Sequence, residues 1–262
     1  MPKLIDRIPE NRFIGLFVGR SGTGKSVAGA SFPKPLDVDD FDGRIGGMQV
    51  PWLDLNGITY DYYPPKQDGL ITRINSKLDN LLTAAKLSGM STGVVMPKTQ
   101  MLDSITNQNY AFICQAIPLT HMDAGKRRGK WLGPIAMPGP EDYGMEAQAA
   151  YDTIAFFKSL PIPNILVTAH YVDRFGKSDP DNPYSESVVI GKKLSIRDKI
   201  GENIQTSFDH IFEFERDINR FYVRFRGELA RTTYDWLPDG RHEWTKKPFY
   251  EWMLAFKEAK KP

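Results

Sequence analysis

The chain has 262 residues, 41% hydrophobic and 25% charged, an ordinary balance for a soluble globular protein with a sizeable core. Its net charge, 34 − 32 = +2, is too small to indicate a nucleic-acid partner, so such a partner has to be read from local clusters. A single cysteine, Cys114, rules out an internal disulfide framework and a CxxC metal site. The absence of any apolar run near 18 residues and the charged start MPKLIDRIPENR argue for a cytoplasmic protein with no membrane partner.

Residues 13 to 32, FIGLFVGRSGTGKSVAGASF, dominate the chain. Gly19-Arg20-Ser21-Gly22-Thr23-Gly24-Lys25-Ser26 fits G-x-x-x-x-G-K-[ST] in full. Phe13 to Val18 predicts a buried strand before it, and Val27 to Phe32 the start of a helix after it. Glycines at 19, 22 and 24 let backbone N–H groups approach phosphate oxygens that side chains would keep away. Lys25 is expected at the β/γ-phosphates and the Ser26 hydroxyl on Mg²⁺, with the nucleotide contacts running from Gly19 to Val27.

Pro33 and Pro35 end that helix. Leu36 to Phe41 reads as a second strand, with Asp37, Asp39, Asp40 and Asp42 gathered towards its end. An acid there can face the γ-phosphate and orient water; Asp42 is the first choice and Asp40 the second. The competing reading is that these aspartates turn the chain into the loop at Gly43–Gly47. Ile58 to Tyr63 is β-prone, and Leu70 to Leu87 has helical apolar spacing. Lys98 to Leu102 reads as a strand running into Asp103, which is expected to hold Mg²⁺ through water opposite Ser26. Asp103 can also N-cap the next helix, predicted over Ile105–Ile117.

Pro118 to Asp142 is expected to be a long irregular segment. Its Lys126, Arg127, Arg128 and Lys130 beside Trp131 suit single-stranded nucleic acid, with phosphates on the cations and a base stacked on the indole. A solvated loop is the alternative. His121 reads as structural. Tyr143 to Leu160 is predicted helical and Asn164 to Ala169 a buried strand, with His170 at its end as a γ-phosphate sensor or a strand-end histidine. Tyr171 to Arg197 reads as a second long polar loop, basic through Lys177, Lys192, Lys193 and Arg197. Phe208–Phe214 is a core strand. Phe221–Arg226 alternates as an antiparallel strand, with Ala230–Trp236 paired to it. Arg241–Lys246 is a further strand and Pro248–Lys257 a final amphipathic helix.

GRSGTGKS at 19–26, DFDGR at 40–44, LDSIT at 102–106, EDYG at 141–144, ILVTAH at 165–170 and SFDHIFEFE at 207–215 together resemble the RecA-like, AAA-domain phage nucleotide-binding ATPases. That group includes the Sak-type single-strand annealing and recombination proteins. The resemblance spans about residues 13 to 226. It implies an α/β fold: a RecA-like P-loop core over 1–215, with a mostly parallel central sheet flanked by helices, and a C-terminal antiparallel β extension and helix over 216–262. It further implies ATP and Mg²⁺ as cofactors, single-stranded DNA as partner, and assembly into a ring or filament. Carried over, Lys25 and Ser26 bind nucleotide, Asp103 serves Mg²⁺, and His170 stands at the switch position after the sensor strand. The long loops, with Lys192 and Lys193 in the second, fall where such proteins place DNA. This chain departs from the group in offering Asp40 or Asp42 where a glutamate usually activates water. A shorter carboxylate implies slow turnover.

The expected function is therefore ATP-dependent single-stranded-DNA binding in phage recombination, with ATP hydrolysis. An ATP-gated binding module with little turnover, a packaging or helicase motor and a small-molecule kinase are the alternatives. Arg197, Arg224 and Arg226 are candidates for a cation supplied in trans.

Overall fold

A computed structural model describes the backbone of residues 9, 12–88, 95–123, 131–132, 135–136, 140–179, 184–196 and 198–260. It describes their side chains except at 116–123, 131–132, 135–136, 140–143, 145 and 198–199. In chain order the first elements are β1 (Phe13–Gly19), α1 (Lys25–Ala30), β2 (Leu36–Asp40), β3 (Ile58–Tyr62), α2 (Leu70–Leu87), β4 (Thr99–Asp103) and α3 (Ile105–Asp123). Then come β5 (Trp131–Leu132), β6 (Ile135–Ala136), α4 (Pro140–Ser159), β7 (Asn164–Ala169), β8 (Tyr171–Lys177), β9 (Ser187–Leu194) and α5 (Asp198–Ile204). The chain ends with β10 (His210–Asp217), β11 (Arg220–Arg224), β12 (Arg231–Thr232), β13 (Arg241–Glu243) and α6 (Phe249–Ala259).

The fold is α/β, with mostly parallel strands, an antiparallel C-terminal extension and a closing helix. The chain packs as two compact units. One holds Phe32–Gln49 and Leu55–Val167 with the chain leading to Phe13. Its strands β2, β3, β4 and β7 are all parallel, with β2 between β3 and β4 and β7 on the far side of β4. Parallel strands buried on both faces need near-continuous apolar runs, and β7 (NILVTA) is buried along its whole length. α2 turns Leu70, Ile74, Leu81 and Ala85 inward, the i, i+4 stripe its sequence predicts. α3 and α4 bury Ile105, Ala111 and Phe112 and Ala150, Ile154 and Phe157.

The other unit takes Ile14–Ser31, Val50–Asp54 and Thr168–Pro262. Here β1 runs parallel to β10, in register Gly15 with His210 to Gly19 with Phe214, and β10 carries β11 and β12 antiparallel, with β13 beyond β11. Its core is aromatic. Phe17, Phe212, Phe214, Trp244 and Phe249 are all wholly buried or nearly so. Phe17 lies 4.9 Å from Phe214 and Phe249 lies 5.2 Å from Phe214 and 5.3 Å from Trp244, centroid to centroid. Each such ring contributes roughly 1.5–3 kcal/mol by leaving water, so the C-terminal meander and α6 anchor β1.

Three stretches differ from the sequence reading. The segment expected to be irregular from Pro118 is helical to Asp123, because a proline is a frequent helix boundary and not an obligatory one. The polar stretch after His170 forms an antiparallel hairpin, β8 with β9, with a bulge at Arg174/Phe175. Its apolar residues Phe175, Val189 and Ile190 are exposed and only Tyr171 and Leu194 at its base are buried, so little marks it in the sequence. Of Ala230–Trp236 only Arg231 and Thr232 are strand, and they pair with β10, not β11. Among the described residues no helix is long and apolar enough to cross a membrane.

Candidate nucleotide-binding site

The loop between β1 and α1 is fixed by close packing. A Cβ on Gly19 would lie 2.5 Å from Thr23 Oγ1 and 2.6 Å from the Phe214 carbonyl oxygen, so only glycine lets β1 and β10 meet the loop there. Gly24, at φ +90°, sits on the rings of Phe221 and Trp244, each of which a Cβ would approach to 3.0 Å. Thr23 Oγ1 donates to Arg20 O at 2.9 Å and closes the turn. α1 begins at Lys25, with no side-chain cap on its first N–H groups. Val27 is half-buried in its first turn and Ser26 half-buried before it.

Lys25 is 4% exposed. Its ammonium donates to Gly19 O and Arg20 O, both at 2.9 Å, and stands 3.3 Å from His170 Nδ1. The cation thus sits on the loop's own carbonyls. For the His170 contact to be a hydrogen bond, Nδ1 has to be the acceptor, with the ring proton on Nε2. His170 directly follows β7 and precedes β8, so the lysine and the hairpin share one histidine. Arg20 adds a second tie, reaching Asp173 Oδ2 on β8 at 2.5 Å. Asp173 raises the Arg20 pKa through that hydrogen bond and its charge.

The sequence-predicted acids lie in the first unit, where the carboxyl ends of β2 and β4 sit side by side with Asp40 level with Asp103. Asp40, 1% exposed, accepts from the backbone N–H groups of Asp42, Gly43 and Arg44 through Oδ1 at 3.1, 2.7 and 3.4 Å. Its Oδ2 accepts from Ile45 N–H at 3.0 Å. Its carboxylate is thus the centre of the turn after β2, as the turn-forming reading of these aspartates requires. Asp42 Oδ1 accepts from Ser104 Oγ at 2.6 Å and Asn107 Nδ2 at 2.7 Å. Ser104, not Asp103, caps α3, its hydroxyl accepting from Asn107 N–H at 3.4 Å. Asp103 is 1% exposed, and its carbonyl oxygen accepts from Phe41 N–H at 2.5 Å and Asp42 N–H at 3.1 Å. The Asp103–Ser104 peptide bond is cis.

The other two aspartates of the run point the opposite way, as strand alternation demands. Asp37 and Asp39, with Asp61 of β3, surround Lys77 Nζ at 3.0, 2.9 and 2.9 Å. Asp39 also accepts from Gln100 Nε2 at 2.9 Å. Burial, reinforced by Asp37 and Asp61, pushes the Asp39 carboxyl up to about 6 against the pull of Lys77. Burial opposes the Lys77 charge too, but Asp39 and Asp37 outweigh it and hold the ammonium above its ordinary range.

Lys126, Arg127, Arg128 and Lys130 lie outside the described residues, as do the Trp131 side chain and Arg197. Lys192 is bound to Glu213 and lies 5.0 Å over the Tyr171 ring, whereas Lys193 is exposed on β9. Arg224 is paired with Glu215 at 3.0 Å and Arg226 with Asp239 at 2.7 Å. Sequence reasoning missed Phe221 and Trp244 as the floor of the loop and Asp173 as the partner of Arg20. The alternation FYVRFR signals that Phe221 has a buried side, but not what lies against it.

The loop fits a nucleoside triphosphate: a glycine-lined turn without a carboxylate of its own, a buried lysine and a hydroxyl next to it. The Ser26 hydroxyl in the loop offers an oxygen donor of the kind Mg²⁺ takes. No protein-family model matches the chain, and no curated protein matches it. Among solved structures, the chain is similar to the crystal structure of the RadB recombinase, with 11% identity and a TM-score of 0.38 over 90% of this chain and 88% of that one.

Proposed function

We propose that this chain is a RecA-like P-loop ATPase that binds Mg²⁺·ATP at Gly19–Val27, hydrolyses it slowly and acts on single-stranded DNA in recombination. The observation that carries the reading is the packed phosphate loop with Lys25 poised on its carbonyls. Lys25 leaves Gly19 O and Arg20 O for the β/γ-phosphates, because an anionic acceptor outbids two neutral carbonyls. Ser26 and Asp103 serve Mg²⁺, which neutralises charge on the phosphates as it develops. Asp42 is the proposed water-orienting acid, since Asp40 is committed to its turn. His170 reports the state of Lys25 to the β8–β9 hairpin. There Arg174, Lys177 and Lys193, with exposed Phe175 and Tyr184, suit a single strand, cations on phosphates and rings on bases. The basic run 126–130 with Trp131 is the second proposed DNA contact, and the active form is a ring or filament of copies. The phage origin and the boundary of the ATPase core at residue 215 are part of the same proposal.

The test is ATP hydrolysis by the purified chain with Mg²⁺, with and without single-stranded DNA, beside Lys25→Ala. DNA-stimulated turnover that the variant loses supports the reading. ATP binding with neither turnover nor response to DNA replaces it with an ATP-gated binding module. That second reading has its own support in the Asp40 carboxylate, all of whose resolved partners are backbone amides.

A further inference from the structure

Several cations on β9 and the C-terminal strands are paired with carboxylates. Arg224 and Arg241 share Glu215 at 3.0 and 2.9 Å, Arg226 meets Asp239 at 2.7 Å, Arg220 lies 3.7 Å from Glu243, and Lys192 is bound to Glu213. Arg216, at the end of β10, is different. Its Nε donates to Ile218 O at 2.9 Å and its guanidinium lies 5.4 Å over the Phe221 ring. Among the described residues no carboxylate lies within ion-pairing distance of it. The turn that supplies the Ile218 carbonyl has Ile218 itself at φ 49°, uncommon for a β-branched residue. Turn and ring together hold an exposed, uncompensated guanidinium in one place.

That place is the phosphate loop. Arg216 Nη1 is 3.9 Å from where a Cβ on Gly22 would stand. The ring beneath the guanidinium is the one that supports Gly24. Strand register explains the position. Phe214 is level with Gly19, and Arg216 follows two residues later on the same side of β10, beyond the end of β1. The other cations near the loop are spoken for: Arg20 by Asp173, and Lys25 by the loop's carbonyls until phosphate arrives.

We propose that Arg216 is a nucleotide-binding residue that donates, within the same chain, to the phosphate groups of the nucleotide held by Gly19–Ser26; this rests on the nucleotide-binding reading above. A guanidinium offers several N–H donors in a plane matched to phosphate oxygens, and one already fixed by its ring and turn loses little freedom on binding. The residue acts by contact, through both its charge and its planar donors.

The experiment measures binding of a fluorescent ATP analogue to the full chain, and its displacement by inorganic tripolyphosphate, for the wild type, Arg216→Ala, Arg216→Lys and Arg220→Ala. Arg216→Ala is expected to weaken both the nucleotide and tripolyphosphate about 10- to 100-fold at an unchanged melting temperature. Arg216→Lys, which keeps the charge but not the planar donors, recovers only part of the loss, and Arg220→Ala stays within about twofold of wild type. An Arg216→Ala chain that binds like wild type overturns the inference and leaves the ATPase reading standing. Lost nucleotide affinity with unchanged tripolyphosphate affinity also overturns it, by moving the contact to base or sugar. An equal loss in Arg220→Ala does so too, because the effect is then the net charge of the hairpin. A wild-type chain that binds neither probe removes both this inference and the nucleotide site.

Discussion

The turns after β1 and after β2 use the same device and put it to opposite ends. Each follows a parallel strand and each gathers backbone around a point where an anion belongs. After β2 the anion is built in: Asp40 accepts from the N–H groups of Asp42, Gly43, Arg44 and Ile45. After β1 the eight residues Gly19–Ser26 contain no aspartate or glutamate, and a lysine sits on the loop's carbonyls. A turn closed on its own carboxylate is a structural part; a turn that lacks one and holds a cation is free to take an anion from outside, as the proposed function requires. On the proposed function, the difference between scaffold and site is thus one acidic side chain.

Removing that acid is expected to have the largest effect. Asp40→Ala leaves several backbone donors around a buried point without an acceptor, at a cost of about 3–5 kcal/mol by urea denaturation. Asp40→Asn keeps one oxygen and loses about half as much. A loss below about 1 kcal/mol in Asp40→Ala would show that water replaces the carboxylate and that the turn does not depend on it.

The neighbour of Asp40 on the same strand sharpens the point, because Asp39 is buried against Lys77 and not against amides. Its folded-state pKa is raised to about 6, above the usual value near 3.9. The folded state therefore holds a proton that the unfolded state has released. Stability from this group is fully present below about pH 4 and falls as pH rises to about 6, by roughly 3 kcal/mol. Asp39→Asn cannot titrate. Wild type should thus lose ground to the variant by roughly that amount between pH 4 and 6 in matched denaturation series. A constant difference across that range would place Asp39 in its ionised form throughout.

The converse substitution puts an acid into the empty turn. Ser21 is exposed in the phosphate loop. A carboxylate about 5 Å from a phosphate charge costs about 3 kcal/mol at an effective dielectric near 20. Ser21→Asp should therefore weaken ATP about 100-fold while leaving the melting temperature near wild type. Unchanged affinity would mean that the nucleotide phosphates do not approach residue 21.

Much of this was legible in the sequence, and what was not has a physical cause. GRSGTGKS between an apolar run and a small-residue helix announces itself, since glycine spacing, lysine and serine are each demanded by one ligand. α2 and β7 were readable because burial imposes a period, 3.6 in one and continuous apolarity in the other. The split of Asp37, Asp39 and Asp40 was not, although strand alternation separates them. Which face of β2 meets Lys77 depends on a helix more than 30 residues away. The β8–β9 hairpin was hidden because, beyond Tyr171 and Leu194 at its base, its apolar residues face outward, so the alternation that marks a strand has little buried side to record. Phe221 and Trp244 were read as parts of a meander. Their place under Gly24 follows from β10 pairing with β1, a long-range register that local composition does not carry.

That register gives the smallest expected effect and the most direct check on how the loop is held. Gly22 and Gly24 both have positive φ, +78° and +90°. Alanine at either position therefore costs about 1–2 kcal/mol in backbone conformation. They differ in what the new methyl meets. At Gly22 it reaches only Arg216 Nη1 at 3.9 Å, an ordinary contact, whereas at Gly24 it meets the rings of Phe221 and Trp244 at 3.0 Å. Trp244 is wholly buried and cannot swing out. Gly24→Ala should thus be the less stable of the two by about 1 kcal/mol. Pairing Gly24→Ala with Phe221→Leu, which opens space beneath the loop, should recover part of that increment, whereas the same second change gives Gly22→Ala nothing. Equal stabilities for the two alanine variants would mean that backbone conformation alone shapes the turn and that the aromatic floor is only adjacent to it.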